Sequence, residues 1–347
     1  MNIGIFISRL AKAGPVNVIY NLIHETNDSS IKYTVFTFRP EILNNTRIKD
    51  FEKLNIPVYC VYKKNPIIMW FKIIKELSLH NINIIHAHCF RTLFLGSLLK
   101  IKKIFTLHQN FYHDWILNYG LIGRLMVLFE NKMIQHWDII ITCAKHLEII
   151  LRKRIKKDNI YTITNGIVPS IILNKKTNKK GIVYVYVGSI DKRKNTRLLC
   201  EQFSQFSSEN EKLICIGTGA DLALVKSINY SNVELLGFKD NITDILFQSD
   251  YFISMSTSEG LPLAVIEALS CKLPVILSDI PAHRDFFSLN ENIGVLITDG
   301  LENALKRIRK GNYEEMSKAA YKIYSEHLTA KQMADEYIKR YKCLYEK

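Results

Sequence analysis

Two glutamates eight residues apart, Glu259 and Glu267, lie in the run Ser258-Glu259-Gly260-Leu261-Pro262-Leu263-Ala264-Val265-Ile266-Glu267-Ala268-Leu269. Before them, Asp250 to Met255 reads as a buried strand, and Leu273 to Leu277 reads as another after them. Pro262 suits the first turn of a helix, where a missing N–H costs nothing. Glu259 is therefore expected in the strand-to-helix loop and Glu267 about two turns into the helix. At ~1.5 Å per residue the pair spans about 12 Å. That is the reach of a diphosphate with a sugar at one end and a ribose at the other. The free N–H groups and positive dipole end of the helix would face the phosphates between them. Spacing alone favours two exposed glutamates near an ordinary helix start. The strand–loop–helix–strand setting is what argues for a ligand.

Other junctions carry complementary groups. Gly188-Ser189-Ile190-Asp191-Lys192-Arg193-Lys194-Asn195 closes one strand and opens a helix, a natural place for cations that clamp phosphate oxygens. Gly217-Thr218-Gly219-Ala220-Asp221-Leu222 also follows a strand. Leu222 occupies the third glycine position of a dinucleotide loop, so this is a glycine turn and a nicotinamide dehydrogenase is excluded. Gly14 joins the first strand to its helix and lets backbone N–H groups approach an anion. His86, His88 and His108 sit at strand ends, where a histidine is as often a packed group as a ligand. No histidine pair has metalloprotease spacing, and no Gly-Lys-Ser/Thr phosphate loop is present.

The segment from Gly237 to Asp285 resembles the retaining, nucleotide-sugar-dependent glycosyltransferases of family 4, whose signature is a Glu-x7-Glu in this setting. The resemblance implies a GT-B fold: two tandem Rossmann-like doubly wound domains, an inter-domain cleft holding the site, and a C-terminal helix returning to the N-terminal domain. It implies catalytic roles for Glu259, His108 and Lys194. Glu259 would orient sugar hydroxyls, His108 would hold the sugar, and Lys194 would take the leaving diphosphate. Donor binding would fall to Glu267 (ribose), Gly188, Ser189, Arg193, Gly217, Gly237, Phe238, Gly260, Leu261, Leu263 and Gly14. His88 is a second candidate behind His108. The chain departs from the family at Ser189, where an arginine is usual, leaving Arg193 or Lys192 to substitute. It also keeps only Gly14 of two usual glycines. The metal-binding Asp-x-Asp of other glycosyltransferases is missing. No metal and no cofactor are expected, the nucleotide sugar being a co-substrate.

The implied reaction moves a hexose or N-acetylhexosamine from a nucleotide sugar, UDP-linked in preference to GDP-mannose, with retention. The leaving phosphate itself would take the acceptor proton. The alternatives are a nucleotide-sugar epimerase of the same fold, or a non-catalytic, basic, membrane-associated protein.

These groups need a frame, and 347 residues usually give two domains with ample core. Charged residues at 23% and hydrophobic ones at 48% describe an ordinary globular chain. Strand-like runs alternate with helical patterns, the sign of parallel α/β sheets. Strands are expected near 2–8, 33–38, 57–61, 82–86, 102–107, 138–142 and 160–163. A second set follows near 182–188, 212–216, 232–236, 250–255, 273–277 and 293–297. Prominent helices are expected at 16–26, 67–79, 117–136, 144–156, 313–324 and 329–345. The lysine-rich 174–180 reads as the linker. The domains are drawn as 1–170, acceptor-binding, with 328–347 crossing back, and 171–327, nucleotide-sugar-binding.

Net charge is +14, and residues 1–165 hold 23 Lys and Arg against 11 Asp and Glu, the remainder 24 against 22. Arg152 to Lys157 is the densest cluster, with Lys63, Lys64, Lys100, Lys102 and Lys103 behind it. Diffuse basicity without interleaved aromatics favours an anionic membrane surface over nucleic acid. The run Pro66 to Leu77, apolar with lysines at helical spacing, fits a helix on a bilayer or a packed helix with snorkelling lysines. No apolar run reaches the ~18 residues of a membrane span. The first residues read as a strand, not a signal peptide. Seven cysteines without metal spacing suggest reduced thiols. The expected setting is cytoplasmic, at the inner face of the plasma membrane, with a lipid-linked saccharide acceptor in surface polysaccharide synthesis (O-antigen, capsule or exopolysaccharide).

Overall fold

A computed structural model describes residues 1–41, 46–109, 111–168 and 181–347, with only the backbone for 111–114 and 116–118. It divides into two compact units, Met1–Val168 with Ala330–Lys347, and Pro169–Thr329. The later boundary falls two residues beyond the expected 327/328. The earlier boundary at 170/171 and the linker at 174–180 lie outside the described residues.

The first unit opens with β1 (Asn2–Ile7), α1 (Gly14–Glu25), β2 (Lys32–Thr37), α2 (Ile48–Lys53) and β3 (Val58–Cys60). It continues with α3 (Pro66–Leu79), β4 (Ile84–Ala87), α4 (Phe90–Ser97) and β5 (Lys102–Leu107). Then come α5 (Phe111–Gln135), β6 (Ile139–Thr142), α6 (Lys145–Arg154) and β7 (Ile160–Thr162). All strands pair in parallel, in the order β3-β2-β1-β4-β5-β6-β7. Central strands such as β1 and β4 are apolar along nearly their whole length because helices cover both sheet faces. Right-handed crossovers place α3 to α6 on one face and α1 and α2 on the other. Under the first of these layers, Phe105, Trp137, Ile85 and Leu93 are fully or almost fully buried in one core. Each such aliphatic or phenyl group contributes about 1.5–3 kcal/mol.

The second unit repeats the plan. It runs β8 (Ile182–Val187), α7 (Thr196–Phe206), β9 (Glu211–Ile216), α8 (Leu222–Ile228) and β10 (Val233–Gly237). It continues α9 (Thr243–Gln248), β11 (Tyr251–Ser254), α10 (Leu263–Ser270), β12 (Val275–Ser278) and α11 (Pro281–Leu289). It ends β13 (Gly294–Ile297), α12 (Leu301–Lys310) and α13 (Tyr313–His327). The parallel order is β10-β9-β8-β11-β12-β13. Both sheets thus share one winding, and both reverse direction beside their first strand, where open α/β sheets place ligands.

The last helix, α14 (Ala330–Glu346), belongs to the first unit and packs on α1. Tyr337 and Tyr341 are fully buried, the Ala330 N–H donates to the Ile167 carbonyl at 2.8 Å, and Lys342 pairs with Asp28 at 2.8 Å. Helix α5 starts at 111 rather than 117 and is kinked at Gly120, whose φ of 52° is left-handed. Among the described residues no helix is long and apolar enough to cross a membrane.

Candidate active site

The second unit's reversal point lies between the ends of β8 and β11. After Gly188 the chain turns on Asp191, which accepts from the Ser189 hydroxyl and from the Lys194 backbone N–H at 2.8 Å. Burial pushes the Asp191 carboxyl up, but these donors and the nearby Arg193 and Lys194 bring it below its ordinary value overall. Asn195 then takes a left-handed φ of 54° as α7 begins. This turn aims Lys194 and Arg193 at the loop after β11. The Lys194 ammonium pairs with the Glu259 carboxylate. Arg193 donates to Glu259 Oε2 at 3.1 Å and to the Ser258 carbonyl at 2.8 Å. Thr257 ties its own N–H and hydroxyl to the Arg193 carbonyl at 2.8 and 2.9 Å. Burial raises the Glu259 carboxyl, and the two cations outweigh it, so the group stays charged below its ordinary range.

Ser189, at the position of the missing arginine, builds the turn: its carbonyl accepts from the Tyr186 hydroxyl at 2.7 Å. Of the two candidate substitutes, Arg193 is the one brought to Glu259. Gly217 backs directly onto this turn. Its φ is 143°, and a Cβ there would lie 1.8 Å from the Gly188 carbonyl oxygen, so only glycine fits. The Gly217 N–H donates to the Gly237 carbonyl at 2.8 Å, and Gly237 has a left-handed φ of 68°. Phe238 follows, 54% exposed.

Pro262 is the N-cap of α10, with an extended ψ of 114°, not a first-turn residue. Gly260 and Leu261 are buried in the preceding loop, and Leu263 is the first helical residue. Glu267 is therefore the fifth residue of the helix, a little over one turn in rather than two. It is half-buried, its carboxylate has no hydrogen-bond or ion-pair partner among the described residues, and burial pushes that carboxyl up to about 7. Two adjoining strand–helix junctions thus bring together a paired carboxylate, two cations, the open N–H groups of a helix start and an unpaired carboxylate.

In the first unit Gly14 is exposed as the first residue of α1, behind an Ala13 N-cap with no side-chain cap. The three histidines form a ladder. His86 is fully buried, its Nδ1 2.6 Å from the Tyr341 hydroxyl and its Nε2 2.7 Å from the Thr106 hydroxyl. It is a packed group. Its ring lies 4.0 Å from that of His88, whose Nδ1 is 3.0 Å from His108 Nε2. Burial pushes all three well down, His108 to about 4, so they are neutral at pH 7. Among the described residues, no group of three or more His, Cys, Asp or Glu could hold a metal ion.

In the basic cluster Arg152, Lys153 and Lys156 are exposed, and several of its cations have partners within the unit. Arg152 binds Glu148 and the Ile160 carbonyl, Arg154 binds Glu130 and Asn131, and Lys157 reaches the Gln135 carbonyl. Lys103 is buried against the Leu99 carbonyl, and Lys102 reaches the Tyr345 carbonyl. The α3 run read as a bilayer or packed helix does expose apolar residues, and it belongs to a wider apolar surface on the α3–α5 layer whose α4 and α5 parts the sequence reading missed. Ile67, Ile68 and Phe71 of α3, Leu98 at the C-cap of α4, and Leu121, Ile122, Leu125 and Leu128 of α5 are all exposed. Phe94 and Phe129, 5.8 Å apart, join the last two helices. Leu121 to Phe129 repeats apolar residues at helical spacing, a signal that was present but does not say whether the face is covered.

Residues 13–170 match the family Glycosyltransferase Family 4, and residues 181–310 match Glycosyl transferases group 1. An O-antigen biosynthesis glycosyltransferase of Escherichia coli, WclY, is 26% identical over 99% of both chains. The Escherichia coli UDP-Gal:alpha-D-GlcNAc-diphosphoundecaprenol alpha-1,3-galactosyltransferase is 31% identical over 42% of this chain and 41% of its own. Among solved structures, Anabaena Alr3699/HepE in complex with UDP and glucose has a TM-score of 0.81 at 14% identity, over 99% of each chain. Sucrose-phosphate synthase from Thermosynechococcus elongatus has a TM-score of 0.82 at 15% identity, covering 100% of this chain and 99% of that one.

Proposed function

The chain belongs to the group 1, family 4 glycosyltransferases of GT-B fold, and we propose that it moves a hexosyl or N-acetylhexosaminyl group from a UDP-sugar to a lipid-linked saccharide. The observation that carries this reading is the pairing, at two adjoining strand–helix junctions, of the Lys194–Glu259–Arg193 cluster with the unpaired Glu267. A diphosphate placed over the start of α10 meets Lys194 and the first-turn N–H groups, while Glu267 accepts from the ribose hydroxyls. UDP is preferred over GDP because the galactosyltransferase relative is described as UDP-Gal-dependent. Surface polysaccharide synthesis of the O-antigen type is the pathway that the two Escherichia coli relatives suggest.

In this reading transfer retains configuration. The anomeric C–O bond to the diphosphate breaks, the acceptor oxygen bonds to the same face of that carbon, and the acceptor proton passes to the departing phosphate oxygen. Charge grows on the phosphate, where Lys194 and the helix start already stand, so the reaction needs no metal from this protein. Glu259, held charged by its two cations, orients sugar hydroxyls.

A lipid-linked acceptor requires the enzyme to meet a membrane. The outward apolar residues of α3, α4 and α5, flanked by Lys63, Lys64, Lys100 and Arg124, suit the interface of an anionic bilayer. Calorimetry with UDP, GDP, ADP and NAD, alongside Glu267→Ala, tests the donor reading. UDP binding that weakens in the variant is expected. Binding of NAD alone, or of no nucleotide, would refute it.

A further inference from the structure

We propose that His88 fixes His108 as a hydrogen-bond donor through Nδ1–H, which bars His108 from acting as a base. The argument is one of pairing. Two neutral imidazoles with Nδ1 of His88 3.0 Å from Nε2 of His108 need one donor and one acceptor in that bond. If His108 donated, His88 would carry its remaining proton on Nε2. That nitrogen is buried, in a residue only 3% exposed, and finds no acceptor among the described residues. An orphaned buried N–H is rarer and more costly than an unused lone pair. The protein therefore places the proton on His88 Nδ1 and directs it to His108 Nε2.

His108 then has its lone pair engaged and its proton on Nδ1. That nitrogen has no partner among the described residues, and the residue is only half-buried. It can give a hydrogen bond to a ligand oxygen, but it has no free lone pair to receive a proton. Beneath, His86 is held at both nitrogens by Tyr341 and Thr106, and Tyr337 lies 3.1 Å from the Thr106 hydroxyl. The ladder stands on α14, so His88 is a positioning residue whose own ring is braced from below. The sign of the hydrogen bond offered to the substrate is thus set at His88, one residue after β4, not at His108 itself.

This inference rests on the placing of His108 against the transferred sugar, and the two can fail separately. Nitrogen-15 spectra of the full-length, histidine-labelled protein read each tautomer without substrate. A protonated-type signal at Nδ1 of His108 and an acceptor-type signal at Nε2 are expected. His88→Leu should release His108 to a mixture of tautomers. His88→Asn, whose amide can donate from the position of Nδ1, should restore the native pattern, with melting temperatures confirming that both variants fold. An unprotonated Nδ1 on His108 in the native protein, or an unchanged pattern in His88→Leu, overturns the proposal. UDP release from UDP-galactose by His108→Ala separates the readings. The expected tautomer with undiminished turnover rejects the placing and keeps the lock. The opposite tautomer with slow turnover rejects the lock and keeps the placing.

Discussion

The two units wind their first six strands in the same order, yet they furnish the strand ends with opposite chemistry. The second unit sets out full charges: Lys194 and Arg193 on Glu259, Asp191 beneath, and Glu267 alone. The first sets out three imidazoles that burial keeps neutral. The winding places ligands but leaves their electrostatics open. In the proposed reaction the charged end is the one that meets the leaving group, and the neutral dipoles meet the sugar.

The sharpest way to break this contrast is Lys194→Ala. Losing one preorganised donor to the leaving phosphate should lower turnover by about 10²–10³, measured as nucleotide release. A wild-type rate would show that the charged end is not where the bond breaks. Next, replacing Leu121, Leu125 and Leu128 together by Ser should weaken sedimentation with anionic vesicles about a hundredfold, since a leucine only partly sunk in the interface keeps a fraction, about 1 kcal/mol, of the ~1.5–3 kcal/mol of full burial. UDP affinity should not change, and unaltered sedimentation would remove the membrane role of this face. Glu267→Ala should weaken UDP binding about tenfold or more, the range for a hydrogen bond to a charged group.

The smallest effect sharpens the comparison within the second unit. The Glu267 carboxyl, ordinarily at 4.5 and raised to about 7, binds more protons folded than unfolded between those values. Stability therefore falls as pH rises through that window. Glu267→Gln should raise the melting temperature of the free protein by a few °C at pH 8 and leave it nearly unchanged at pH 4.5. Equal shifts at both pH values would mean that the carboxyl is not raised.

Much of this frame was legible. All thirteen strands lie where apolar runs between turn residues put them, because buried parallel strands must be apolar throughout. The placement of Glu259 and Lys194 in strand-to-helix loops, and of Glu267 on the helix that follows, was legible for the same reason. The depth of Glu267 was not. A proline ring sets φ but not ψ, and Pro262 spends that freedom on an extended N-cap. The partners of the basic cluster were not legible because sequence shows charge without partners: Arg154 meets Glu130 from 24 residues away. The role of Ser189 needed the turn around Asp191, and the apolar face of α5 needed knowledge of what lies over it.

Helix α14 carries one more consequence, for the growing chain. Its tyrosines complete the packing around His86, yet they are made only after the whole second unit. Domains ordinarily fold in the order of synthesis. Here the second unit is fully synthesised while the first still lacks a buried helix, so the half begun first is finished last. A nascent chain halted before residue 330 should already resist protease across 181–329 and remain cleavable within 1–168.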